Sequence, residues 1–326
     1  MAKRCPGMVG DVVLYHEFPP ETSATVSAFG DRVETALDGV RLVRTSDYAD
    51  AVESIRDAEV IVEHGMSNDL LAEASSLEWV QSLSAGVNRY DLTPLERRDV
   101  LLTTVSGAHA QPAAEHVLGL LLFFERGVDR ARRQQRDSVW RRFPASELAS
   151  KTVGIVGVGQ IGGRVAEVVS ALGSEVVGTK RDTGTCPDAI DAVYPPDRLH
   201  TVLGQSDYLV LACPLTDETE QLIGETELSS MHNDAVLVNV ARGEVVDQEA
   251  LVSALKEGYL GGAALDVTAP EPLPGESPLW DMDDVVITPH MAGGSPEFAR
   301  RCADVFVSNF QRYREGEYDA MRNRVL

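Results

Sequence analysis

Lysine is nearly absent from this 326-residue chain. Lys3, Lys151, Lys180 and Lys256 stand beside 25 arginines, and the 29 basic residues face 51 acidic ones. The formal charge of −22 repels phosphate backbones and anionic lipid headgroups, so neither nucleic acid nor a membrane surface is an expected partner. A carboxylate-rich, lysine-poor surface is what a high-salt cytoplasm calls for, because ions there screen the self-repulsion; GC-rich codon usage produces the same letters. Cysteine is scarce and scattered: Cys5, Cys186, Cys213 and Cys302 form no C-x-x-C pair, and no compact His/Cys set has metal-ligand spacing. No metal is expected, and free thiols in a reducing cytosol are the simplest reading. Long hydrophobic runs are lacking too. The most apolar stretch, Leu118 to Phe124, is far short of the ~20 residues that span a bilayer. Lys3 and Arg4 lead into Pro6, Gly7, Gly10 and Asp11 rather than a signal-peptide core. A cytoplasmic protein is expected.

What is present is an ordinary globular composition, 44% hydrophobic and 25% charged, over a length that suits two domains. Strand-like and helix-like segments alternate: Asp11 to Tyr15, Ala24 to Leu37, Val40 to Val43, Asp47 to Asp57, Ala58 to Val62, Asp69 to Ala74, Trp79 to Leu83, then an extended run at Val100 to Val105. Alternation at this spacing predicts parallel sheets covered by helices on both faces. A single long helix is expected from about Ala113 to Gln135, with Pro112 suited to its first turn and an apolar part, Val117 to Phe124, that covers more than one face.

A second alternating series starts at Thr152 and carries a phosphate-binding turn. The short strand Thr152 to Val156 runs into Gly157-Val158-Gly159-Gln160-Ile161-Gly162 and then into a helical run, Arg164 to Leu172. In G-x-G-x-x-G the first glycine permits the tight turn, the second lets a pyrophosphate approach the backbone, and the third lets helix and strand pack closely. The helix N-terminus, with the amides near Gln160 and Ile161, supplies donors and a partial positive charge. The next strand, Glu175 to Thr179, is where a dinucleotide fold ends in an acid for the ribose 2′-hydroxyl of NAD. Here the chain reads Thr179-Lys180-Arg181, two cations and a hydroxyl that attract a 2′-phosphate, so NADP is the expected cofactor ahead of NAD. Asp182 leaves a carboxylate within reach of the same ribose.

Downstream, four ordered motifs carry a resemblance. They are Gly157-x-Gly159-x-x-Gly162, Val238-Asn239-Val240-Ala241-Arg242-Gly243-Glu244-Val245-Val246-Asp247, Ala264-Leu265-Asp266-Val267 with Glu271-Pro272-Leu273, and Thr288-Pro289-His290. On these the chain resembles the D-isomer-specific 2-hydroxyacid dehydrogenases over nearly its whole length. The resemblance implies a catalytic trio of Arg242, Glu271 and His290. The chemistry fits: reducing a 2-keto acid needs a cation for the substrate carboxylate, a proton donor for the developing alkoxide and a hydride at the carbonyl face. Arg242 has the planar fork for the first task. His290 is the one member that titrates near neutral pH without help, and Glu271 would hold its imidazole and stabilise the imidazolium.

The resemblance also implies that Ser82-Leu83-Ser84-Ala85-Gly86-Val87-Asn88 forms a substrate-carboxylate loop, with the backbone amides of Ala85 and Gly86 as donors and Met66 lining the side-chain pocket. Around the nicotinamide it places Val240, Ala241, Asp266, His290 and Gly293. Beside the adenosine it places Cys213, Pro214 and Thr219, with Cys213 as lining rather than nucleophile. The implied architecture is α/β with two doubly wound parallel-sheet domains. A Rossmann-type dinucleotide-binding domain, 106–287, is inserted into a flavodoxin-like substrate domain, 1–105 and 288–326, with the site in the cleft at the carboxyl ends of both sheets. The crossings near Val105 and Pro289 would act as a hinge. Trp140 would reach a second subunit in a homodimer. The expected reaction interconverts 2-keto acids and D-2-hydroxy acids with NAD(P)H, glyoxylate and hydroxypyruvate being among the substrates to separate. A dinucleotide-sensing binding protein without turnover is the alternative, and consumption of the reduced nicotinamide distinguishes the two.

Overall fold

The computed structural model describes residues 12–15, 23–45, 47–65, 67–87 and 90–326. Along the chain come β1 (Val12–Tyr15), α1 (Ser23–Ala36), β2 (Leu42–Thr45), α2 (Tyr48–Ile55), β3 (Val60–Glu63), α3 (Asn68–Glu73), β4 (Trp79–Ser82), α4 (Leu92–Arg97), β5 (Leu101–Thr103), α5 (Ala110–Glu125) and α6 (Val128–Arg136). There follow β6 (Thr152–Val156), α7 (Gln160–Ser170), β7 (Glu175–Thr179), β8 (Ala192–Tyr194), α8 (Leu199–Leu203), β9 (Tyr208–Leu211), α9 (Glu225–Ser229), β10 (Val236–Asn239), α10 (Gln248–Glu257), β11 (Gly262–Leu265), β12 (Val285–Ile287) and α11 (Phe298–Glu315). The chain divides into two compact units, one ending at Ala108 and completed by Ser295–Leu326, the other His109–Gly294. Thr288 and His290 thus fall in the second unit, tied there by backbone bonds from Thr288 N to the Leu265 carbonyl (2.9 Å) and from His290 N to the Asp266 carbonyl (2.8 Å).

In the first unit five parallel strands lie in the order β2-β1-β3-β4-β5, a doubly wound arrangement of flavodoxin type. β3 and β4 are buried at every position, as parallel strands covered on both faces must be. One face is covered by α11, whose buried residues Ala299, Cys302, Ala303, Phe306, Phe310 and Tyr313 recur at helical spacing. Its Phe306 stacks on Trp79 with ring centroids 5.2 Å apart, and α1 adds Phe29 to the same cluster. The Trp79 indole N–H donates to Thr103 Oγ1 (2.9 Å), whose hydroxyl donates to Gln81 Oε1 (2.9 Å), so this core buries no unpaired indole.

The second unit is a seven-stranded sheet in the order β12-β11-β10-β9-β6-β7-β8 with every pair parallel. Chain order reverses between β6 and β9, the switch point at which such sheets bind ligands beyond the carboxyl ends of their strands. The expected helix from Ala113 to Gln135 is instead two helices. Arg126 closes the first, and Gly127 at φ +60° turns the chain into the second. A side chain there would meet the Phe143 ring at 2.8 Å. Just before the break, Glu125 is buried and accepts from the Tyr208 hydroxyl at 2.5 Å, pinning α5 to β9. No helix among the described residues is long and apolar enough to cross a membrane.

Candidate active site

Every segment singled out for cofactor or acid–base work in the second unit leaves the carboxyl end of a strand of that one sheet. Gly157 follows β6, Lys180 follows β7, Cys213 lies just past β9, Val240 follows β10, Asp266 follows β11 and Thr288 follows β12. Parallel pairing alone puts these six ends on one edge.

The glycine turn is built as its spacing requires. Gly157 has φ +95°, and a Cβ there would lie 2.7 Å from the Cys213 backbone. At Gly162 a Cβ would meet the Gly157 carbonyl oxygen at 2.3 Å, so the third glycine is what lets α7 sit against the turn. A Cβ on Gly159 would meet nothing within 4 Å. Gly159 is the N-cap of α7 and has no side chain to cap it, so the first-turn amides of Gln160 and Ile161 are left as donors without an intrahelical partner. The turn hangs on β7 through Gly157 N and Val158 N, which donate to the Thr179 carbonyl at 3.2 and 3.0 Å. A cavity of about 260 Å³ opens beside it, lined among others by Gly157, Gly159, Thr179, Lys180, Arg181, Cys213, Pro214 and Thr219. An open second glycine, an uncapped helix start and a cavity that continues to the end of β7 fit a dinucleotide.

The charged end of this cavity is more committed than the sequence implied. The Lys180 ammonium donates to the Thr185 hydroxyl (2.8 Å) and carbonyl, within its own loop. Asp182 does not reach for the ribose end: its carboxylate accepts from Gly184 N (3.0 Å) and from the Thr185 hydroxyl (3.3 Å). Arg181 pairs through Nη2 with Glu218 Oε2 at 3.0 Å, a carboxylate that the letters around β7 gave no reason to consider. Thr219 braces the turn below it, its hydroxyl donating to the Pro214 carbonyl at 2.6 Å. Cys213 is buried, and burial pushes its thiol up, so it lines the wall and carries no thiolate.

A second cavity, about 610 Å³, is lined by Asp266, Thr268, Glu271, Pro272, Leu273, Trp280, Ile287, Thr288, Pro289 and His290. Here His290 and Glu271 meet, Nδ1 lying 2.8 Å from Oε2, both half-exposed. An ionised carboxylate only accepts, so Nδ1 carries the proton and donates it, leaving Nε2 for exchange with a ligand. Glu271 is held in turn through Oε1 by the Thr268 amide (3.2 Å). His290 sits at φ +49°, a left-handed conformation that costs a non-glycine residue about 1 kcal/mol. Asp266, buried, is a brace: Oδ1 accepts from the Thr288 hydroxyl (2.6 Å) and Met291 N (2.9 Å), and Oδ2 from Ala292 N (2.8 Å). The His116 ring also approaches this carboxylate, Nε2 lying 3.5 Å from Oδ1. His116 supports the same knot, with Nε2 3.1 Å from Thr288 Oγ1. Gly293 is packed on His109, whose Nδ1 is 3.0 Å from its carbonyl; a Cβ at Gly293 would meet that nitrogen at 2.9 Å.

Arg242 does not join the pair in this cavity. Its Nη1 donates to its neighbour's carbonyl, Ala241 O, at 2.6 Å, and the side chain is exposed. The backbone around it is nevertheless fixed against the Glu271 segment, because a Cβ on Gly243 would lie 2.0 Å from the Thr268 carbonyl carbon. Asn239 at the end of β10 shapes this turn: Nδ2 donates to the Arg242 carbonyl (2.9 Å) and Oδ1 accepts from Ala241 N (3.0 Å). Val240 and Ala241 are buried there.

In the first unit Ala85 and Gly86 stand exposed at the end of β4. The preceding residues are tied down, Leu83 N to the Glu63 carbonyl (2.7 Å) and the Ser84 hydroxyl to the His64 carbonyl (3.2 Å), so the loop is presented rather than loose. Met66 lies outside the described residues. Sequence reading missed Glu63, which ends β3 inside the core with its carboxyl between the Tyr90 hydroxyl (2.5 Å) and the Gly65 amide.

A glycine turn at the switch point of a parallel sheet, with a carboxylate-held imidazole on the same edge, defines a nicotinamide-dinucleotide oxidoreductase. The family model described as "D-isomer specific 2-hydroxyacid dehydrogenase, NAD binding domain" matches residues 118–292. The chain is 33% identical over 279 residues to the glyoxylate reductase of Pyrococcus furiosus, covering 82% of each protein. Among solved structures, the D-isomer specific 2-hydroxyacid dehydrogenase from Xanthobacter autotrophicus Py2, in complex with NADPH and MES, superposes with a TM-score of 0.82 at 28% identity over 98% of both chains. The NADPH-dependent glyoxylate/hydroxypyruvate reductase of Sinorhizobium meliloti, in complex with NADP and sulfate, gives 0.81 at 27% identity, covering 97% of this chain and 98% of that one. The chain belongs to the D-isomer-specific 2-hydroxyacid dehydrogenase family, NAD(P)H-dependent oxidoreductases that interconvert 2-keto and 2-hydroxy acids.

Proposed function

We propose that this chain is an NADPH-preferring reductase of short 2-keto acids, glyoxylate and hydroxypyruvate above all, with Arg242, Glu271 and His290 as its machinery. The observation that carries the reading is the 2.8 Å contact between His290 and Glu271 in a cavity on the same sheet edge as the glycine turn. Gly157, Gly159, Gln160, Ile161 and Gly162 hold the pyrophosphate in this reading; Thr179, Lys180 and Arg181 take the 2′-phosphate, and Cys213, Pro214 and Thr219 lie along the adenosine. Val240, Ala241, Asp266 and Gly293 meet the nicotinamide, whose reduced ring, when bound, supplies the hydride to the carbonyl carbon.

The chain's own residues do the rest. Arg242 swings off the Ala241 carbonyl to pair with the substrate carboxylate and polarise the adjacent carbonyl. His290, with Nδ1–H on Glu271, gives the proton on Nε2 to the carbonyl oxygen as the alcohol forms, and takes it back in oxidation. The glyoxylate and hydroxypyruvate reductases among the relatives support a small substrate. A homodimer fits the 97% exposed Trp140, beside an arginine-rich segment that a second acidic chain would attract.

The test is a panel of 2-keto acids of increasing side-chain size, each with NADPH and with NADH. The expected result is nicotinamide oxidation fastest with glyoxylate or hydroxypyruvate and NADPH. Faster turnover with NADH, or with a bulky aromatic keto acid, contradicts the reading.

A further inference from the structure

At the end of β7 the residue that pairs Arg181 comes from another strand. Glu218 sits in the turn after β9, which is locked by Thr216 N donating to Thr219 Oγ1 (2.8 Å) and by Glu220 N donating to the Thr216 carbonyl (2.9 Å). That turn presents the Glu218 carboxylate to the cavity that holds Gly157 and Gly159, where it lies 3.0 Å from Arg181. The neighbouring charges are engaged elsewhere, Asp182 with Gly184 and Thr185, and Lys180 with Thr185. Arg181 and Glu218 are 69% and 78% exposed, so their pairing is of the weak, exchangeable kind.

We propose that Glu218 is a specificity-determining residue that competes with a 2′-phosphate for Arg181, and so narrows the preference for NADPH over NADH. A phosphate arriving at Arg181 must displace this carboxylate and then remain near it as a like charge, whereas a 2′-hydroxyl meets no such opposition. The chain, lacking an acid at the end of β7, thus carries a substitute from the turn after β9, on the other side of the glycine turn. The proposal rests on the cavity beside Gly157 holding the dinucleotide.

The experiment measures dissociation constants of NADPH and NADH by calorimetry on the full chain without keto acid, in wild type, Glu218→Gln, Arg181→Gln and the double variant. The ratio Kd(NADH)/Kd(NADPH) is expected to rise about fivefold in Glu218→Gln, the size of an exposed charge interaction. In the Arg181→Gln background the same change is expected to move the ratio less than about twofold, because the contested cation is gone. An unchanged or lower ratio in Glu218→Gln overturns the proposal, as does an equal effect with and without Arg181. A wild type that binds NADH more tightly defeats the NADPH preference alone, since the Glu218→Gln ratio is read independently of it. Failure of both dinucleotides to bind defeats the cavity assignment and the proposal together.

Discussion

Glu63 shows how a single buried group ties the candidate substrate loop to solution conditions. Burial pushes its carboxyl up from the ordinary 4.5 to about 7, with the Tyr90 hydroxyl and the Gly65 amide pulling it only part of the way back. Between those two values the folded chain keeps a proton that the unfolded chain has already lost, so stability falls as pH rises through that window. Glu63→Gln stays neutral throughout. Urea unfolding at a series of pH values should show the wild type losing on the order of 3 kcal/mol between pH 4.5 and 7 that the variant keeps. Parallel pH profiles would show that Glu63 is ionised in the folded chain. Nothing in the sequence distinguishes this glutamate: it follows Val60-Ile61-Val62 and precedes His64, and its partner Tyr90 is 27 residues away. His290 and Glu271 were legible because each sits beside a proline in a recognisable string, while the Arg181–Glu218 pair depends on two strands being neighbours of the same glycine turn.

At the scale of elements, α11 closes the first sheet with aromatic rings rather than aliphatic side chains. Phe306 is fully buried, stacked on Trp79 at 5.2 Å and tilted against Phe310 at 5.6 Å. Phe306→Ala removes those contacts and leaves a cavity between helix and sheet, for an expected loss of about 3–5 kcal/mol in denaturant unfolding; a loss below about 1 kcal/mol would mean that the helix is not held by this cluster. The elements best read from sequence are those with a local cause. β6, its glycine turn and the next strand, β7, were placed as observed because turn chemistry bounds them. α4 and β8 went unread because six and three residues carry too little periodicity. The break at Gly127 was overrun because apolar and arginine-rich stretches both read as helix, and only the Phe143 contact shows why a glycine turns there.

For the whole molecule, charge and chemistry make separate demands. The exposed ion pairs, such as Arg324–Asp319 and Arg300–Asp304, contribute little to stability and weaken with salt. A net charge of −22 spread over 326 residues outweighs them, so screening should stabilise the fold. Melting temperature is expected to rise by several degrees from dilute buffer to molar KCl, and a flat or falling curve would show that acid repulsion is not the limiting term. The chemistry depends on one proton held at one atom. The most direct test is the single-turnover rate of hydride transfer from bound NADPH to glyoxylate in His290→Gln, with NADPH affinity measured alongside. A rate lowered by about 10²–10⁴ is expected, far more than any change in NADPH affinity; a rate within a few-fold of wild type would contradict the role given to His290.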